Sequence, residues 1–448
     1  MAAEDLTALG VAEAAESIRT GALTCEALVN ACLARIAARD GEVRAWAHID
    51  PELALRAARV ADAARQTGIG GGPLHGVPIG IKDAVDTSDY PTECGCRALS
   101  GRQPAEDAAV VQALRSAGAI ILGKTITTEL ATLTPSITRN PRNLAHTPGG
   151  SSSGSAAAVA DGMVPAAIGA QTLGSVIRPA AFCGVFGYKP TFGLMPRHGV
   201  MAQSPSLDTL GIMARSITDL ALLGDAVQVY DARDPASLAH SRPRLSSIAG
   251  MAWPIPPTFA FVKSPAWSGA DPRMQEAFGE LLAALAPRVV EIDLDAIIAE
   301  GLAAAHVIHR VEMAVSVGPL CDGHRGLVDD AIAATIAEGR RLMGVDYVSA
   351  LAMRERHARI LADVFANHGT ILTPSAPGPA PHGLSRTGDP VFNTFWTYLG
   401  TPALTLPLLE VDGLPVGVQL VGARMDDGRL LRTGRLLIEQ LSQPDDGA

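Results

Sequence analysis

Two serine turns and one lysine hold the means for covalent chemistry in this chain. Gly149-Gly150-Ser151-Ser152-Ser153-Gly154-Ser155 runs directly into the helix-forming Ala156-Ala157-Ala158-Val159-Ala160, and Gly174-Ser175 runs into Val176-Ile177-Arg178-Pro179. Serines on tight glycine turns beside the start of an element have exposed hydroxyls, and their neighbouring backbone N–H groups can point outward unpaired. A serine hydroxyl attacks a carbonyl carbon only when a partner takes its proton. Lysine usage points to that partner. Four of the 36 basic residues are lysine (Lys82, Lys124, Lys189 and Lys263), and three of these lie in the apolar, glycine-rich first half. Codon bias accounts for the average, but a buried lysine can lose its proton near neutral pH, whereas arginine cannot. Lys82 closes the apolar run Val77-Pro78-Ile79-Gly80-Ile81 and is the best candidate for a neutral amine base. Lys189, in Tyr188-Lys189-Pro190-Thr191, reads as part of a structural turn.

Three other patterns carry less. Residues 118–125 match a phosphate-binding loop letter for letter, but such a loop needs a strand before its first glycine and a helix after its last. Here Ala119-Ile120-Ile121-Leu122 reads as the strand itself, preceded by a helix, so no nucleotide is expected. Gly150-Ser151-Ser152-Ser153-Gly154 matches a nucleophile elbow centred on Ser152, yet the polar, proline-ended stretch 143–148 offers no strand to lead into it. His306, His309 and Glu312 share a helix face at i, i+3 and i+6. A polar surface is the commoner use of such a face, and with no further ligand cluster no metal is expected.

The chain must then supply elements to hold these groups. Apolar residues at three-and-four spacing predict helices over 11–19, 25–38 and 51–65, with Thr24 and Asp50 as caps. A glycine-rich loop, 68–76, leads into the strand that ends at Lys82; a helix over 107–117 and a strand over 119–122 follow. Residues 163–188 read as buried core, and 243–365 as mostly helical without a chemical signature. Strands return at 370–374, 403–407 and 416–421, before a last helix over 428–440. Helix-then-strand order predicts an α/β fold with a central, largely parallel or mixed β-sheet covered by helices on both faces. Length alone, 448 residues, suggests about three domains at roughly 150 residues each, but no linker supports that count. One large domain is expected, with an N-terminal helical region (about 6–66), a catalytic core (about 67–230), a helical insertion (about 243–365) and C-terminal strands and helix (about 370–440).

Composition bounds the partners. A net charge of −10 argues against non-specific nucleic-acid binding. No run reaches the roughly 18 uninterrupted apolar residues of a membrane span. The acidic start Met1-Ala2-Ala3-Glu4-Asp5 does not suit a secretory signal, and six scattered cysteines do not make a disulfide scaffold, so a reducing cytoplasm is the expected setting.

Gly80-Ile81-Lys82-Asp83, the 149–155 turn, the stretch 171–179 and Asp412-Gly413-Leu414-Pro415-Val416-Gly417-Val418-Gln419 together resemble the signature blocks of the amidase signature family, in the family's order and spacing. The resemblance runs from about residue 6 to residue 440. It is strongest to compact malonamidase-like members, in Thr147-Pro148-Gly149-Gly150-Ser151-Ser152-Ser153-Gly154-Ser155 and Gly174-Ser175-Val176-Ile177-Arg178-Pro179. It implies a hydrolase of the C–N bond of amides (small or aryl amides, extending to urethanase-type carbamate and ester substrates) with no cofactor. By position, Ser175 is the nucleophile, Ser151 a bridging serine after a cis Gly150–Ser151 peptide, and Lys82 the base. The N–H groups of Thr172, Leu173, Gly174 and Ser175 form the oxyanion hole, and Arg178, Gln171 and Ser152 contact substrate. For Arg178 a structural ion pair stands as an equal alternative to a substrate carboxylate. The aromatic-rich Phe392-Asn393-Thr394-Phe395-Trp396-Thr397-Tyr398 either walls a substrate pocket or, as the safer reading, packs in the core. A homodimer is left open.

One residue departs from the family pattern. Leu173 stands where the first of two glycines is usual, and leucine resists positive φ. Either the pocket is reshaped for a particular substrate, natural or engineered, or the site is weakened; the intact Lys82, Ser151 and Ser175 favour the first. A glutaminase-type subunit of an amidotransferase complex and a catalytically weakened scaffold are the alternative functions.

Overall fold

The apolar runs assemble into a single sheet of eleven strands. The structure, a computed structural model, describes residues 3–68, 71–239, 244–253 and 256–442. Part of the expected glycine-rich loop (69–70), the expected boundary near 243 and the first two residues of the acidic N-terminus lie outside that set. In chain order the strands are β1 (Trp46–Ile49), β2 (Pro78–Lys82), β3 (Ile120–Thr125), β4 (Ala166–Gln171), β5 (Phe186–Lys189), β6 (Thr209–Ala214), β7 (Phe259–Phe261), β8 (Val289–Glu291), β9 (Thr370–Pro374), β10 (Ala403–Val411) and β11 (Leu414–Gly422). Their order in the sheet is β1-β3-β2-β4-β6-β5-β10-β11-β9-β7-β8. The sheet is mixed: β2 runs parallel to β3 and β4, and β7 parallel to β8 and β9, while the remaining pairs are antiparallel. Every residue of β2, β3, β6 and β9 is buried. Successive side chains on a strand point to opposite faces, so both faces of the sheet are covered there.

Local chemistry explains most of the elements. The helices Cys25–Val43 and Pro51–Gln66 begin at their expected caps, where Thr24 accepts from the Ala27 N–H and Asp50 from the Leu53 N–H. The match to a phosphate-binding loop is strand from Ile120 to Thr125, behind the helix Ala109–Ser116, so its backbone N–H groups belong to the sheet. Residues 143–148 form no strand, which removes the elbow geometry from Ser152. The stretch from 243 to 365 is less purely helical than its pattern suggests. It contains β7 and β8, three residues each, and β7 joins the main sheet beside β9. Strands that short give too little alternation to be read from sequence. The 163–188 core resolves into β4, the helix Ile177–Cys183 and β5. No helix among the described residues is long and apolar enough to cross a membrane.

This topology sets the chemistry. β2 and β4 are parallel neighbours, with Ile79 beside Ala166 and Ile81 beside Ile168, so their C-terminal ends emerge at the same edge of the sheet. Lys82 ends the one strand, and the loop carrying Ser175 leaves the other. In sheets of this kind, groups at the carboxyl ends of strands converge on a shared crevice.

Candidate active site

Lys82 is fully buried, and its Nζ lies 2.7 Å from Ser151 Oγ and 3.2 Å from the Ala170 carbonyl oxygen. Burial brings its pKa down to about 7, against the opposing pull of the Asp208 carboxylate and Cys94. A lysine near that value is part neutral at physiological pH, and the neutral amine can accept the Ser151 proton across the 2.7 Å contact. Ser151 sits just ahead of the helix Ser153–Ala160, and its carbonyl is held by the Thr128 N–H at 3.1 Å and the Thr127 hydroxyl at 3.2 Å. The Gly150–Ser151 peptide is cis. The two serine turns touch directly, since the Ser152 N–H donates to the Ser175 carbonyl at 3.4 Å.

Ser175 lines a cavity of about 370 Å³ together with Thr172, Leu173, Gly174 and Arg178. The backbone N–H groups of Leu173, Gly174 and Ser175 donate to no acceptor among the described residues. That is the arrangement expected of donors held ready for an oxyanion. The Thr172 N–H likewise has no acceptor among the described residues, and its hydroxyl donates to Asp208 Oδ1 at 2.6 Å. Gly174 is required by close approach: a Cβ there would stand 2.5 Å from Asn393 Oδ1 and 2.9 Å from Pro390 Cβ.

Two residues expected to contact substrate are engaged inside the protein. Gln171 accepts from the Val176 and Ile177 N–H groups at 2.8 and 3.0 Å, and its Nε2 donates to Thr397 Oγ1 at 2.9 Å. The Thr397 hydroxyl in turn donates to the Leu173 carbonyl at 2.9 Å. Gln171 therefore shapes the loop around Ser175. Ser152 is also occupied, because its hydroxyl donates to the Ala170 carbonyl at 3.2 Å and accepts from the Ala170 N–H at 3.3 Å. Both side chains are buried in polar bonds that no pattern in the sequence could assign, their partners being fixed only by the fold.

Arg178 is fully buried, with its pKa drawn down by burial to about 10. Its Nη2 donates to the Gly150 carbonyl at 2.7 Å and its Nε to the Thr387 carbonyl at 2.8 Å. Nη1 has no hydrogen-bond partner among the described residues, and a Cβ on Gly174 would stand 3.0 Å from it. No carboxylate among the described residues pairs with this guanidinium, so the structural alternative takes the form of carbonyl bonds rather than an ion pair.

Leu173 does not adopt positive φ, so the leucine carries none of the strain its position suggested. The residue is 8% exposed and belongs to the apolar cluster that also holds Ile177, Phe395, Trp396 and Leu399. Together with Leu133 it borders both the Ser175 cavity and an adjoining outer cavity of about 1100 Å³. The helix Val391–Tyr398 is almost wholly buried, and its aromatic rings pack against one another in the core. What this helix gives the site is polar: Asn393 beside Gly174 and Thr397 under Leu173.

The histidine-glutamate face also divides by role. Glu312 accepts from Ser204 Oγ at 2.6 Å, from the Ser206 N–H at 2.9 Å and from the Tyr347 hydroxyl at 2.7 Å, which ties its helix to the 204–206 loop. His309 borders the Ser175 cavity, and His306 the outer one. No group of three His, Cys, Asp or Glu among the described residues is placed to hold a metal. The other buried lysines are committed to structure. Lys124 donates to the Val85 carbonyl at 2.8 Å and to Thr92 Oγ1 at 2.5 Å, and Lys189 to the Pro190 carbonyl at 2.9 Å and the Thr401 carbonyl at 2.5 Å.

No motif marks Asp208, which the fold nevertheless brings to the site. Burial raises its carboxyl to about 6; one oxygen accepts from Thr172, and the other from the Gln203 and Ser204 N–H groups, each at 2.8 Å.

A buried lysine–serine pair beside a serine on a loop of free N–H groups has the parts that acyl transfer needs. The amidase family model matches residues 27–316 and 320–431, and the chain belongs to that family. It is 36% identical to a glutamyl-tRNA(Gln) amidotransferase subunit of Chloroflexus aggregans, over 96% of each chain. It is 34% identical to the corresponding protein of Salinispora arenicola, over 97% of each. Among solved structures it resembles a vestigial protein complex that bears on the origins of an s-triazine catabolic enzyme, with TM-score 0.89 and 27% identity over 98% of this chain and 100% of the other. It also resembles the peptide amidase of Stenotrophomonas maltophilia, with TM-score 0.82 and 28% identity over 97% of each.

Proposed function

We propose that this chain hydrolyses the C–N bond of a small-molecule amide through an acyl-enzyme on Ser175, with carbamates and esters as related substrates. The observation that carries the reading is the 2.7 Å contact between a fully buried Lys82 and Ser151, in a turn that touches the Ser175 turn. Neutral Lys82 takes a proton from Ser151 as Ser151 takes one from Ser175. Ser175 Oγ bonds the carbonyl carbon, and the oxyanion gathers the N–H groups of the 172–175 loop. Removing one such donor typically costs about 3 kcal/mol of transition-state stabilisation. The proton returns to the leaving nitrogen as the C–N bond breaks, and water then releases the acid. Arg178 stands between the two serine turns, where its charge favours the oxyanion and a substrate carboxylate alike. The test is a fluorophosphonate adduct found by intact mass on Ser175, with a panel of aliphatic amide, anilide, acid amide, carbamate and ester run alongside. Absence of the adduct in the wild-type chain would sink the reading.

A second reading, a glutamine-cleaving component of an amidotransferase, is favoured by the amidotransferase relatives. It predicts little turnover of simple amides by the purified chain alone. Efficient hydrolysis of a simple amide without partners would exclude it.

A further inference from the structure

The hydrogen bonds around His309 fix which of its ring nitrogens carries the proton. Gln203 Nε2 faces the Leu130 carbonyl at 3.0 Å, and a carbonyl oxygen only accepts, so the NH2 end of this amide must point there. Gln203 Oε1 therefore faces His309 Nε2, at 3.1 Å, and it too can only accept. The Nε2 proton is thus assigned by its neighbours, and in the neutral ring Nδ1 is left as a lone-pair acceptor. Burial, with His306 and Arg310 adding to it, lowers the pKa of this imidazole to about 4, which keeps the ring neutral. His309 borders the same 370 Å³ cavity as Ser175. One carboxylate also links its partner Gln203 to the nucleophile loop: Asp208 accepts from Thr172 Oγ1 at 2.6 Å on one oxygen and from the Gln203 N–H at 2.8 Å on the other.

From this geometry we infer that His309 is a recognition residue that accepts a hydrogen bond from a substrate N–H, selecting N–H-bearing amides and carbamates over esters and tertiary amides of the same shape. The inference rests on the amidase reading of Ser175 and names the class of substrate that the site takes. Met313 and Ile332 supply apolar wall to the cavity, which suits an alkyl or aryl body beside the reading group.

The test uses the full chain carrying Ser175→Ala and a nearly isosteric pair of probes, N-methylbenzamide and methyl benzoate, titrated by ligand-observed NMR. One neutral hydrogen bond corresponds to a preference of about fivefold for the amide. That preference should vanish with His309→Phe and persist with His309→Asn, which keeps a neutral acceptor on a short side chain. His309→Leu removes the same acceptor at smaller volume if the phenyl ring does not fit. Equal affinities, no binding of the amide, or a preference that survives His309→Phe or His309→Leu would overturn the inference. Turnover by the wild-type chain is read separately: failure to hydrolyse either probe bears on the proposed reaction, whereas the binding comparison bears on His309 alone.

Discussion

The rate at which Ser175 reacts should follow the ionisation of Lys82, and the structure sets where. Burial moves this amine from an ordinary 10.5 to about 7, a differential cost of about 5 kcal/mol against its charged form. With a pKa near 7, about half of Lys82 is neutral at pH 7 and about one part in a hundred at pH 5. Labelling of Ser175 by a fluorophosphonate, followed by mass, depends on no choice of substrate. Its rate should climb about ninefold from pH 5 to 6 and about fivefold from pH 6 to 7, and level off above 8. The same shift has a stability consequence whose sign is fixed. Between about 7 and 10.5 the unfolded chain holds a proton that folded Lys82 has released, so stability rises with pH in that window. Below about 7 the full cost of burying the amine is present. Lys82→Met should abolish labelling yet stabilise the fold at pH 7. Set against the bonds lost to Ser151 and Ala170, the gain should be about 2–3 kcal/mol, and it should shrink as pH approaches 10. A labelling rate that is flat from pH 5 to 9, or that keeps rising tenfold per unit beyond pH 9, would refute a lysine base with a lowered pKa.

Three further outcomes are expected. Asp208→Asn removes a charge that raises the Lys82 pKa, so the acid limb of the labelling profile should move to lower pH while the plateau falls through loosening of Thr172; an unmoved limb would separate Asp208 from the lysine. Leu173→Gly removes a buried side chain from the apolar cluster that holds Phe395 and Trp396 and should lower stability by about 2–4 kcal/mol in chemical denaturation. By merging the two cavities it should also raise kcat/KM for bulky amides over small ones, and an unchanged preference would remove Leu173 from specificity. Thr397→Val takes away the hydroxyl that joins Gln171 to the Leu173 carbonyl and should slow labelling about tenfold with KM for amides little changed; wild-type labelling would show that the loop holds its shape without it.

The legible part of the site is the part written in local chemistry. Lys82 stands out because it is a scarce residue type at the end of an apolar run, and the two serine turns because glycine and serine cluster there for few other reasons. The internal bonds of Gln171 and Ser152 are not legible, because an amide or a hydroxyl beside a serine turn looks the same in sequence whether it meets substrate or protein. The partner of Gln171 is Thr397, 226 residues further on, and only the packing of the helix Val391–Tyr398 makes them neighbours. Asp208 lacks any motif for the same reason: its partners, Thr172 and Gln203, are assembled by the fold. In the fold, helices with caps and long apolar strands are readable, whereas β1, β7 and β8, at three or four residues, are too short to show a period.

The bond from Thr397 to Leu173 also orders events during synthesis. Lys82, Ser151 and Ser175 all leave the ribosome within the first two-fifths of the chain, but the hydroxyl that braces the nucleophile loop arrives on a helix that begins at Val391. The strand that seats this helix region against the early part of the sheet, β10 beside β5, comes later still. A nascent chain halted before residue 391 would carry all three side chains, with Ser175 on an unbraced loop. On the proposed reaction, the Ser175 loop therefore reaches its braced shape only after the C-terminal strands have been translated and docked.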